Sequence, residues 1–451
     1  MKLPIPENLT ALARRCAFPL YLVGGSVRDF LAGFAPNGNT DWDICAPATE
    51  TEFVAAAEAC GFTVKSVYRN TGTVKLCDKD GAGYEFTRFR SDKYVCGLHA
   101  PSEIEFTSDM EKDARRRDFR ANAVYCEIRT GKLHDPLGGR EDVANKLLRT
   151  VAPAAKVFGE DGLRLMRLAR FAAETGFRPD GECFEGARIH RALVNDVTPE
   201  RIFAELSAIL LADRKHGDAE APYRGLTVLK ETGVLGEILP ELAKGDGLSQ
   251  RADFHDYDVL EHSLRCVKYA PPEIRFAALL HDVGKPFCFA RDGNFYEHAE
   301  EGARIAEEIL TRLKAPAKLA AETAALVRLH MRDFDLRMRE SRVRREIAEN
   351  AVLLPKLLAL KQADFSACKD DPTRSPTVAK WETVLAQMKR EGAPLSLSEL
   401  AVNGKDFFGR LPPSEIGGAL NEFFRFCIQD GARNERKKLL ARIERLYPEE
   451  T

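Results

Sequence analysis

The chain has 451 residues, a formal net charge of −2 with 30% charged residues, and 11 cysteines. That length exceeds one typical domain, and the near balance of charge excludes an overall basic field, so an anionic partner has to be met by local basic patches. The cysteines are scattered without a C-x-x-C pair and are odd in number, which argues against a disulfide framework, and no apolar run approaches the roughly 18 residues of a membrane span; a cytoplasmic protein without membrane contact is expected.

Up to about residue 150, short apolar runs alternate with Gly, Asp and Asn turns (PLYLVGG, TDWDICA, GTVKLCD, GYEFTRF, AVYCEI), the pattern of a small mixed sheet carrying helices. From Val151 onward the periodicity becomes helical, as in LRLMRLARFAAETGF and PERIFAELSAILLADRK. Loop-like stretches near residues 245 and 370 divide this half. The expected fold is therefore α+β: a mixed-sheet head over 1–150, a helical neck over 151–245, a helical body over 246–370 and a helical tail over 371–451.

Within the head, YLVGGSVRDFL reads as a strand running through Gly24 and Gly25 into a helix that starts near Ser26. Glycines let the backbone approach phosphates, the helix N-terminus offers free N–H donors, and Arg28 can clamp phosphate oxygens. Asp41 and Asp43 flank Trp42 in a strand-like segment, so period-two alternation projects both carboxylates from one face, where they can hold Mg²⁺. Glu85, in GYEFTRFR, is the candidate third carboxylate. Without that context a lone D-x-D is an ordinary solvated pair.

GGSVRD followed closely by DWD resembles the nucleotidyltransferase signature of the class II tRNA nucleotidyltransferase and poly(A) polymerase family, and the blocks RRRDFRANAVY (115–125) and GEDGLRLMRLARFAAETGF (159–177) resemble later motifs of that family in the expected order. The resemblance implies addition of nucleotides to the 3′ end of tRNA from CTP and ATP, with CCA the expected product. Rival readings are an A-only, CC-only or poly(A)-adding enzyme, a metal-dependent phosphohydrolase whose first domain only binds RNA, and a catalytically silent RNA-binding protein.

Asp161 and Arg164 lie three apart in what reads as one continuous helix, presenting an acceptor beside a donor on one face. That pair complements an exocyclic amino group next to a ring-nitrogen acceptor, the edge of cytosine and adenine but not of uracil or guanine. Arg167 and Arg170 extend the row as a basic stripe for phosphates. By resemblance Arg117, Asp118 and Asn122 line the same pocket, and Arg201, in the capped helix TPERIFAEL, braces the reading helix. Two segments depart from the family pattern: GLHAP stands where an arginine-containing loop is expected, and Arg120 with Ala121 replaces the usual small polar and aliphatic pair.

In the body, His262, His281, Asp282, His298 and Asp364 occur in settings that resemble the HD phosphohydrolase superfamily, and His330 fits a further ligand position. Histidines and carboxylates gathered from several helices suit a second divalent or transition metal, and the resemblance implies phosphatase or phosphodiesterase activity. A second His-Asp pair, His255 and Asp256, ranks below His281 and Asp282.

Overall fold

The computed structural model describes residues 3–36, 40–94 and 102–448, so the GLHAP segment lies outside the described residues. The chain forms two compact units, one of Met1–Ala243 with Arg312–Ala315 and one of Lys244–Thr311 with Pro316–Thr451.

In the first unit the strands are β1 (Tyr21–Val23), β2 (Trp42–Ala46), β3 (Thr63–Tyr68), β4 (Thr73–Cys77), β5 (Gly83–Arg88), β6 (Arg90–Lys93), β7 (Glu103–Phe106), β8 (Tyr125–Glu127) and β9 (Leu133–His134). The sheet is seven-stranded in the order β3-β4-β5-β2-β1-β8-β9, with β6 and β7 forming a separate antiparallel hairpin. In the sheet β2 and β5 run parallel and the other neighbours antiparallel. Alternating residues such as Ile44, Val74, Leu76 and Phe86 turn into a core that also takes Phe53, whose ring stacks 3.8 Å from Phe86.

The helices that matter for the site are α1 (Glu7–Arg15), α2 (Gly25–Leu31), α3 (Glu50–Glu58), α4 (Met110–Arg115), α5 (Gly139–Ala144), α6 (Ala154–Glu160), α7 (Leu163–Thr175), α8 (Gly181–His190), α9 (Pro199–Leu210) and α10 (Asp213–His216). Thr49 and Glu52 form a reciprocal capping box that starts α3. The expected cap of α9 is absent: Pro199 begins the helix, but Thr198 makes no side-chain capping bond. Among the described residues after 150 the regular elements are helices, apart from Arg178–Pro179, which pairs parallel with Leu147–Leu148.

Every regular element among the second unit's described residues is a helix, and Val259–Tyr269, Arg275–Leu280, His298–Arg312, Ala317–Leu329 and Leu354–Lys369 carry or immediately precede its candidate histidine and carboxylate residues, His255 and Asp256 excepted, which lie in a loop. Trp381, fully buried, donates Nε1–H to Asp333 at 3.0 Å. No helix is long and apolar enough to cross a membrane among the described residues.

Candidate active site

The glycine pair does two different jobs. Gly24 leaves β1 with φ +80°, and a Cβ built there would lie 2.9 Å from Asp43 Oδ2, so both backbone and space demand glycine. Gly25 opens α2 at ordinary contact distances from Arg28 and Lys215. Asp43 pairs in register with Glu85 across β2 and β5, which puts their side chains on one face of the sheet. The strand begins at Trp42, so Asp41 lies just before it rather than inside the strand that period-two alternation had suggested. Burial pushes the Asp43 carboxyl up to about 6; Arg117 opposes the rise, and the negative fields of Glu85 and Asp41 add to it. A cation held beside Asp43 would relieve that cost; Glu85 faces the Lys75 ammonium at 3.5 Å.

A buried polar chain ties α2 to α7. Arg28, with no exposed surface, donates Nε–H to Asp29 at 2.8 Å and Nη1–H to Asn122 Oδ1 at 2.8 Å. Asn122 in turn donates to Asp118 at 3.0 Å, and Asp118 accepts from Arg167 Nε at 2.7 Å. Burial opposes ionisation of Asp118, but Arg167, Asn122 and the Phe119 amide outweigh it and hold the carboxyl below its usual range. Arg170 pairs with Glu205 at 2.7 Å and Glu174 at 3.0 Å. The basic stripe expected along this helix is thus already neutralised by carboxylates.

Asp161 and Arg164 are not on one continuous helix. The helix breaks between α6 and α7, with Asp161 extended at φ −148° and its Oδ1 accepting from the Leu163 amide at 2.9 Å. The cause is the Asp-Gly pair: Asp161 closes an Asx turn, and Gly162 approaches the Leu193 carbonyl so closely that a Cβ would stand 2.2 Å from it. Arg164, buried on the first turn of α7, donates Nη1–H to the Val157 carbonyl at 3.0 Å and to Glu160 at 2.9 Å, and Nη2–H to the Arg116 carbonyl at 3.0 Å and the Tyr94 hydroxyl at 3.4 Å. Arg201 reaches Asp161 at 3.9 Å. Despite the break, every residue singled out for the nucleotide site, Arg201 included, lines one cavity of about 1020 Å³.

The second unit gathers its histidines around Asp282. His262 Nε2 lies 3.1 Å from His281 Nε2 and 3.0 Å from Asp364 Oδ1. His281 Nε2 is 3.2 Å from Asp282 Oδ2, while Asp282 Oδ1 is 3.3 Å from His298 Nε2 and 3.6 Å from His330 Nε2. Nδ1 of His281, His298 and His330 sits against the carbonyls of Ala278, Phe295 and Val327, at 2.8, 2.7 and 2.6 Å, which leaves each Nε2 for the cluster. Burial opposes charge on Asp282, but His281 and Lys285 hold its carboxyl well below the ordinary range. His262, His281 and Asp282 form one group able to hold a metal ion, and Asp282, His298 and His330 another.

The head-domain family model of poly(A) polymerase matches residues 20–149, the model described as the probable RNA- and SrmB-binding site of polymerase A matches 176–245, and the HD domain model matches 259–364. An A-adding tRNA nucleotidyltransferase of Deinococcus radiodurans is 32% identical over 88% of this chain and 89% of its own. A multifunctional CCA protein of Stenotrophomonas maltophilia is 35% identical over 69% of this chain and 75% of its own. The chain belongs to the tRNA nucleotidyltransferase family. This nucleotidyltransferase also shares the fold of the Bacillus stearothermophilus CCA-adding enzyme solved with CTP, at TM-score 0.69, 24% identity and coverage of 98% of this chain and 97% of that one.

Sequence reasoning missed Asp113, a buried carboxylate that holds two arginines of the cavity lining, Arg116 and Arg117, from behind. It accepts from Tyr125 OH at 2.7 Å, Arg116 Nε at 2.7 Å and Arg117 Nη2 at 3.1 Å. Its signal was weak: one acid among arginines in EKDARRRDF reads as a solvated helix face. Lys285 was also missed; its ammonium donates to Asp282 and Gln250, each at 2.6 Å.

Proposed function

We propose that the chain completes tRNA 3′ ends by template-independent addition of C, C and A from CTP and ATP. The observation that carries this reading is the convergence of Asp41, Asp43 and Glu85 with Asp161, Arg164 and the glycine turn around one cavity. Asp41 and Asp43 would hold Mg²⁺, which when bound offsets charge on the attacking and leaving oxygens. Glu85 orients the RNA 3′-hydroxyl or takes its proton, and the N–H groups at the start of α2 face the triphosphate. Asp161 accepts from the exocyclic amino group of cytosine or adenine. Arg164 donates to the ring nitrogen by giving up its longest bond, the 3.4 Å contact to Tyr94.

In this reading the segments 1–150, 151–245, 246–370 and 371–451 serve as catalytic head, base-reading neck, HD body and tail of a cytoplasmic enzyme. The tail meets tRNA through a basic groove in which Arg433, Lys438, Arg442 and Arg445 flank Phe426. The HD cluster, with a divalent or transition metal, hydrolyses phosphate esters; its support is the pair of metal-capable groups that share Asp282.

A second reading is favoured by the relative named for A addition, which matches 88% of this chain. The experiment that decides supplies tRNA transcripts ending before the first C, after one C and after CC, with Mg²⁺ and each labelled nucleotide singly and then together. Ordered gain of two C and one A supports CCA addition. Gain of A on the CC transcript alone assigns the A-adding role, and no incorporation from any nucleotide overturns both.

A further inference from the structure

Three of the four histidines gathered at the HD cluster have Nδ1 against a main-chain carbonyl; His262 does not. Its Nε2 faces His281 and Asp364, and its Nδ1 is buried without a hydrogen-bond partner. Beside it lies His255, ring centroid 4.8 Å away, whose own Nδ1 is likewise buried and unpartnered. Two unpartnered imidazole nitrogens in neighbouring buried rings are costly unless something binds them.

The third member is Cys368, one turn after Asp364 on the helix Leu354–Lys369, with Sγ directed to the Asp364 carbonyl at 3.3 Å. Ring nitrogens of His255 and His262 and the Cys368 sulfur all lie within 4.8 Å of one another. The loop bearing His255 is pinned to the end of this helix: the Asp256 amide donates to the Cys368 carbonyl at 3.0 Å, Lys369 Nζ donates to the Asp253 carbonyl at 3.0 Å, and Tyr257 OH donates to Asp370 at 2.6 Å. The three side chains are therefore held together by bonds that do not involve them.

We propose that His255, His262 and Cys368 form a second transition-metal site at the rim of the HD cluster, sharing His262 with it but not involving Asp282. A thiolate with two imidazoles selects a soft ion such as Zn²⁺ or Co²⁺ over Mg²⁺, with solvent in the fourth position. Bonds of about 2.0–2.3 Å place tetrahedral ligands about 3.5 Å apart, so the present separations close with side-chain movement of about 1 Å. On binding, the Cys368 thiol yields its proton to solvent and Sγ donates an electron pair to the ion. Because His262 belongs to both groups, this site also touches the metal chemistry of the cluster behind it.

The test is a Co²⁺ titration of the metal-stripped full-length protein, read by the near-ultraviolet thiolate-to-cobalt charge-transfer band, with nucleotide incorporation as the check on folding. The band is expected in the unaltered protein, absent in Cys368→Ser, and shifted to at least about 10-fold weaker Co²⁺ affinity in His255→Ala, with incorporation unchanged in both. No band at saturating Co²⁺ overturns the proposal. So does a band that persists in Cys368→Ser, which would move the thiolate to Cys266 beside His281. If Cys368→Ser fails to fold, the His255→Ala titration decides alone: unchanged affinity overturns the site and weakened affinity supports it.

Discussion

Gly24→Ala is expected to damage catalysis through Asp43 without touching substrate. At φ +80° and ψ −141° the backbone occupies a region that L side chains enter only at a cost of about 1–3 kcal/mol. The added methyl would start 2.9 Å from Asp43 Oδ2. To regain ordinary contact the carboxylate has to withdraw by about 0.5 Å. Misplacement by about 1 Å costs about 100-fold in rate, so a fall in kcat of roughly 10- to 100-fold is expected, with a higher Mg²⁺ requirement and stability lower by about 2 kcal/mol. The control is Gly25→Ala, whose methyl meets Arg28 and Lys215 only at 3.8 and 3.9 Å, and whose stability should stay near that of the unaltered chain. The assays are single-turnover incorporation of labelled nucleotide across a Mg²⁺ series and urea unfolding of both variants. A Gly24→Ala protein with unaltered rate and Mg²⁺ dependence, or equal destabilisation by both substitutions, would refute the argument.

Asp118→Asn removes the charge that balances Arg167 at 2.7 Å in a buried setting, and a loss of about 3 kcal/mol is expected in urea unfolding; less than about 1 kcal/mol would show the pair to be dispensable. Burial acts to raise the Asp113 carboxyl, but Arg116, Arg117 and the Tyr125 hydroxyl hold it at about 2. A depressed carboxylate contributes its stability above the unfolded value near 4 and loses it as pH falls through the folded value, so the gap between the unaltered chain and Asp113→Asn should shrink by about 2 kcal/mol between about pH 4 and pH 2. A gap that stays constant across that window, followed by urea unfolding at each pH, would remove Asp113 from the account. Asp41→Ala should abolish nucleotide addition while sparing phosphate-ester hydrolysis, and Asp282→Ala should do the reverse; both activities failing in either folded variant would sink the two-site reading.

Local chemistry was legible where a few adjacent residues carry it. The Gly24–Gly25 turn and the placing of Asp43 and Glu85 in strands were readable because strand alternation and helix starts are short-range rules, whereas Asp41 falls just before its strand and outside that alternation. The break at Asp161 was not, although its signal was present: Asp-Gly is a turn dipeptide, but the strong helical periodicity after Leu163 hid it. Charge pairing was read least well. Arg167 and Arg170 looked like a free basic face, yet their partners Asp118 and Glu205 come from elsewhere in the chain, and no local pattern marks which acids a fold will deliver to which arginines. The place of His255 beside His262 was hidden for the same reason, since the helix end that pins its loop lies more than a hundred residues later in the sequence.

Those long-range pairings also explain how this cavity stays ordered while being built from so many charges. An unpartnered arginine in a half-buried wall costs several kcal/mol, and a row of them beside Asp43 would collapse onto the carboxylate in the absence of substrate. Here Arg28, Arg167 and Arg170 are each held by Asp29, Asp118, Glu174 or Glu205, so the guanidinium positions are fixed before a nucleotide arrives. The chain from Arg28 through Asn122 and Asp118 to Arg167 runs from the glycine turn of α2 to the middle of α7. The helix α2 and the helix that carries Arg164 are thereby fixed by one hydrogen-bonded network. A substitution anywhere along that network should disturb phosphate placement and base selection together, whereas one at Asp161, outside it, should disturb base selection alone.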